Sequence, residues 1–136
     1  MAEIATLGAT GRTVADNVRR LRERQRLTFA DLDRTLEGLG NPIRPLGLKR
    51  IETYERRVDA DDLVALAIAL GTCPAALLMP EAESASEKVK ATGVGRVVVQ
   101  ARELWDWLTA VAPFNPNVDA REFRFRSVPQ WADEKG

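Results

Sequence analysis

The basic side chains of this chain are mostly arginines, with lysine only at positions 49, 88, 90 and 135. Among its 136 residues there is no histidine, and the one cysteine, Cys73, stands alone. Without an imidazole, neither a Ser-His-Asp nor a Cys-His nucleophilic arrangement can be assembled. A zinc site, which needs about four Cys or His ligands, has nothing to draw on. No phosphate-cradling glycine loop accompanies a strand, and Cys73 reads as a helix-cap or core residue, so the expectation is a protein that is not an enzyme and carries no cofactor. What remains is the chemistry of guanidinium and ammonium groups, which donate hydrogen bonds to anions and other acceptor-rich surfaces. The whole chain, with 20 basic and 20 acidic residues, offers no net attraction to a polyanion. Residues 12–57, however, hold 12 basic and 7 acidic side chains, a local charge of +5, and the remainder carries −5. Such local asymmetry is what a nucleic-acid role would require.

The elements that must position these charges can be read from periodicity and capping. Val14, Val18 and Leu21 recur at helical spacing between Thr13 and Gln25 and predict a first helix. Thr28 offers an N-cap oxygen to a second helix striped by Phe29, Leu32, Leu36 and Leu39, which Gly38 and Gly40 weaken. Two prolines, Pro42 and Pro45, break the pattern before Leu48 and Ile51 resume it in a third helix expected to run to Tyr54 or Arg56. Asp59 caps a fourth helix that closes at Gly71, with Val58 placed to staple onto Leu63, and Pro74 opens a short fifth helix that stops before Pro80. Residues 81–98 read as a polar linker, Val97 to Val99 as either a short strand or a helical first turn. Beyond it, a sixth helix is expected over Val99 to Ala112, and Asp119 with Glu122 predicts a short seventh. The start of the chain lacks a signal-peptide apolar core, and no run of about 18 apolar residues could span a bilayer, so a soluble, cytoplasmic protein is expected.

The motif order Val18-Arg19-Arg20-Leu21-Arg22, Leu27-Thr28, Leu32, Leu48-Lys49-Arg50-Ile51-Glu52, then Val58-Asp59 leading into Leu63 to Gly71 is specific. It resembles the Cro/CI-type (XRE) helix-turn-helix family over roughly residues 14–79. The resemblance implies an all-α fold, a five-helix lambda-repressor-like helix-turn-helix domain over 12–80, the linker 81–98, and a small, mostly helical extension over 99–136. It also implies a sequence-specific regulator of transcription on double-stranded DNA, most simply a repressor acting as a homodimer. Carried over by position, the residues facing DNA bases would be Arg44, Leu46, Lys49 and Arg50, since Arg and Lys donate to guanine and Leu meets a thymine methyl. Thr28 and the amide of Phe29 would approach a phosphate at a helix start, and Arg56 and Arg57 are equally phosphate contacts or a solvated basic pair. Arg22 and Glu52 fall where the family pairs its first and third helices.

Three features depart from the family pattern. The connection from Gly38 to Pro45 is longer than the usual turn of about three residues. Asp33 replaces a small residue against the third helix, and Tyr54 stands where a left-handed glycine often ends that helix, which suggests a helix running on toward Arg57. The aromatics gather after residue 104, with Trp105, Trp107, Phe123 and Trp131 foremost. They are open between internal packing, a homodimer interface and a surface for another protein. The last of these would suit an antitoxin-like or adaptor protein, and Arg121, Arg124 and Arg126 are further candidate phosphate contacts.

Overall fold

The computed structural model describes residues 6–94, 99–114 and 116–133. The helices are α1 (Ala9–Arg24), α2 (Phe29–Gly38), α3 (Pro45–Glu52), α4 (Ala60–Ala69), α5 (Pro74–Leu78), α6 (Ala101–Leu108) and α7 (Ala120–Ser127), followed by a 3-10 turn over Gln130–Ala132. Two short strands, β1 (Lys88–Val89) and β2 (Val99–Gln100), pair antiparallel between α5 and α6. The architecture is thus predominantly helical. Within the segment expected as a linker, Val89 is buried and paired with Val99; Val97 and Val98 lie outside the described residues.

α1 begins at Ala9, not Thr13, because Leu7 tucks against Gly11 and is itself buried, giving the first turn an apolar anchor. Thr28 and Asp31 form a reciprocal capping box on α2, and the Asp59 carboxylate accepts from the Asp62 amide at the start of α4. Asp119 caps α7 in the same way, whereas Glu122 pairs with Arg126 at 3.4 Å. α6 is shorter than expected: Val99 and Gln100 belong to β2, and a Gln100–Glu103 capping box fixes its start.

The ends of α1, α2, α3, α4 and α6 share one geometry. In each, a residue just past the cap turns left-handed, its amide returns to a carbonyl three residues back, and the next amide returns five back, as with Gly40 to Glu37 and Asn41 to Leu36. Glycine fills the left-handed position after α2 and α4, but Arg26, Tyr54 and Ala110 fill it after α1, α3 and α6. Tyr54, with φ of 68°, therefore overturns the expectation that α3 runs on toward Arg57. Its strain is offset by contacts with α1: the Arg12 guanidinium lies 4.8 Å from its ring centroid and its hydroxyl donates to Asp16.

Two cores result. The larger joins Val14, Ala15 and Val18 of α1 with Leu32 and Leu36 of α2, Ile43, Leu48 and Ile51, Leu66 of α4 and Leu70 at its C-cap, and Leu77. The smaller is built on Val89, Ala101 and Leu104, with Met79 and Phe114 against it. Asn17 joins them: its buried carboxamide donates to the carbonyls of Ala76, Leu77 and Met79 at 3.2, 2.9 and 2.8 Å. A second tie is the reciprocal bond pair between Thr10 and Thr92, at 3.1 and 2.9 Å.

Candidate nucleic-acid interface

Pro45 starts α3 in its first turn, where an amide hydrogen would have had no partner within the helix. Leu48, Ile51 and Glu52 of this helix are buried, and that fixes which way the others point. Leu46, 57% exposed, shares the outward stripe with Lys49, Arg50 and Thr53, at the i, i+3, i+4, i+7 spacing of one helical face. Neither Lys49 nor Arg50 has an ion-pair partner among the described residues, so both charges are available to a ligand. Thr53 was not singled out from sequence, although its offset of seven from Leu46 was the signal; its hydroxyl donates to the Lys49 carbonyl at 3.0 Å.

The helix is held from beneath by a two-pronged ion pair. Arg22 Nε meets Glu52 Oε2 at 2.7 Å and Nη2 meets Oε1 at 3.0 Å, while Nη1 donates to the Leu27 carbonyl at 2.8 Å. The Glu52 side chain is only 5% exposed. Its hydrogen bond raises the Arg22 pKa against the opposing effect of burial. The Phe29 ring lies under the same guanidinium, 4.3 Å from its centroid. A pair so enclosed contributes orientation more than net stability, since desolvation offsets most of the attraction. Breaking one half would leave a buried charge uncompensated.

Several of the other sequence candidates are already engaged within the chain. Arg44, at the N-cap of α3, reaches back to α2: its Nη1 lies 3.2 Å from Asp33 Oδ1 and 3.4 Å from Glu37 Oε1. The attraction of Asp33, foremost, raises the Arg44 pKa. The Asp33 side chain is 15% exposed, and this pairing is what makes its burial acceptable. Thr28 gives its amide hydrogen to Asp31 Oδ2 at 2.9 Å, so a carboxylate occupies the helix start where a phosphate was expected. Phe29 packs its ring on the core, leaving only its main-chain amide for an anion. Arg56 pairs with buried Asp62 at 3.3 Å, which also accepts from Asn41 at 2.9 Å. The guanidinium gets there by crossing Gly47, where an added Cβ would sit 2.5 Å from Arg56 Nη1. Arg57 donates to the Thr6 carbonyl at 2.6 Å. Of the residues proposed to meet DNA, the structure thus gathers Leu46, Lys49 and Arg50 on one open face and ties Arg44, Arg56 and Arg57 to the protein.

The C-terminal aromatics do not form one cluster. Trp105 is half-buried, Trp107 stacks on Phe114 with centroids 4.9 Å apart, Phe123 is partly covered, and Trp131 is 79% exposed. Among the described residues no group of His, Cys, Asp and Glu is disposed to hold a metal ion, and no helix is long and apolar enough to cross a membrane. No family model, curated protein or solved structure matches the chain at a significant level.

Proposed function

We propose that this chain is a sequence-specific double-stranded DNA-binding regulator of the Cro/CI-type helix-turn-helix class, acting most simply as a dimeric repressor. The observation that carries the reading is the outward face of α3. A leucine and two cationic side chains with no ion-pair partner among the described residues stand together on a helix whose opposite face is locked into the core. Side chains held this way suit the major groove, where Lys49 and Arg50 donate to guanine O6 and N7 and Leu46 meets a thymine methyl. Arg44, on this reading, sets the angle between α2 and α3 through Asp33 and reads no base.

The test is selection from a random duplex library, followed by fluorescence anisotropy with the selected duplex and a scrambled one at two salt concentrations. Selective, salt-weakened binding is expected. Lys49→Ala and Arg50→Ala should each weaken it by about 1 to 3 kcal/mol, with thermal stability unchanged. Failure to enrich any sequence, or full binding by both variants, would sink this assignment. A second reading, an antitoxin-like or adaptor protein, is favoured by Phe125 and Trp131, two aromatic rings of the C-terminal segment left 82% and 79% exposed. It predicts capture of a protein and indifference to duplex sequence.

A further inference from the structure

No residue of α7 is buried, although the helix carries Phe123 and Phe125 and is followed by Trp131. Phe125 is 82% exposed. The arginines Arg121, Arg124 and Arg126 alternate with these rings. Among the described residues Arg124 pairs with half-buried Asp133 and Arg126 with exposed Glu122, and pairs this open to solvent contribute little to the fold. Arg121 has no ion-pair partner among the described residues.

Elsewhere on the same chain lies a surface of opposite character. An open groove of 410 Å³ runs along the smaller core, lined by Met79, Pro80, Ala101 and Trp105 and by Arg102, whose guanidinium is drawn to Asp106 at 3.7 Å. Its rim carries Glu83, and beside it a shallower hollow is lined by Glu81, Glu83 and Glu87. Of these carboxylates only Glu81 meets a cation among the described residues, Arg20 at 3.3 Å. A partly apolar groove flanked by these glutamates is the complement of rings alternating with arginines.

We propose that α7 and the turn after it form an arm that docks into this groove on a second copy of the chain, in a two-fold exchange. Arm and groove belong to one sequence, so each contact made by one copy is repeated by the other, which doubles the buried apolar surface. Phe125 or Trp131 fills the groove, and Arg121, Arg124 and Arg126 face the glutamates. The inference deepens the proposed function by giving its homodimer a contact surface, and it is tested without DNA, so that its failure and the failure of DNA binding are separable.

The experiment is light scattering behind size exclusion, with sedimentation, on the full chain over a concentration series. Wild type should be dimeric. The reversal Glu83→Arg, and separately the pair Arg124→Glu with Arg126→Glu, should each weaken the dimer by about tenfold or more. Mixing the two reversed proteins, which places Glu on the arm against Arg on the rim in one of the two contacts, should recover dimer as a heterodimer. A monomeric wild type, or a dimer indifferent to both reversals, overturns the proposal.

Discussion

At the scale of single residues, the three non-glycine left-handed positions separate into strained and compensated sites. A left-handed residue with a Cβ costs roughly 1 to 2 kcal/mol. Arg26, exposed at the end of α1, has no side-chain partner among the described residues to offset that cost. Arg26→Gly should therefore stabilise the protein, by about 0.5 to 1 kcal/mol after the extra entropy of an unfolded glycine is subtracted; chemical denaturation would measure it. The same change at Tyr54 should destabilise, because it removes the Arg12 and Asp16 contacts along with the strain. A second prediction concerns Asp31, whose pKa is lowered chiefly by the hydrogen bond from the Thr28 backbone. A carboxylate depressed in the folded state stabilises above its ordinary value of 3.8, and that contribution disappears as the pH falls through the lower folded value. Asp31→Asn should accordingly melt below wild type at pH 7, and the gap should close in acid. Equal melting temperatures at pH 7 would show that the capping charge contributes nothing.

At the scale of elements, most helices were legible because their signals are local: Thr28, Asp59 and Asp119 as caps, Pro74 at a first position, Gly71 past an end. What sequence reading missed depends on distant partners. The left-handed Tyr54 is stabilised by residues of α1, the fate of Arg44 is set by two carboxylates of α2, and the pairing of Val89 with Val99 is too short to leave a periodic trace. The same distinction divides the candidate site. Exposure of Leu46, Lys49 and Arg50 follows from the burial of Leu48 and Ile51, whereas the engagement of Arg56 by Asp62 does not follow from any local pattern. Gly47 is the residue that reveals this link. Alanine there should favour α3 by about 0.5 to 1 kcal/mol, but its Cβ would displace the Arg56 guanidinium and crowd Ile43 Cγ2 at 3.2 Å. Gly47→Ala should thus be close to neutral in wild type and more favourable in an Arg56→Ala background. A double-mutant cycle with no coupling would mean that Arg56 moves aside freely.

At the scale of the whole molecule, the two cores are joined by few but well-made connections, with Asn17 at their centre. Its carboxamide meets no partner within α1 through its nitrogen; all of the carbonyls it serves lie 59 to 62 residues later in the chain. On the ribosome this separation imposes an order. The first helix emerges long before the backbone that both covers and satisfies its buried amide, and a nascent chain stopped short of Met79 lacks Leu77 of the larger core and leaves the α1 face that α5 packs on open to water. Domain completion is therefore tied to the synthesis of α5, and not to the appearance of the helices that bear the charged face. Arrested chains exposing residues only through α4 should remain open to protease, and those exposing Met79 should become resistant in a single step.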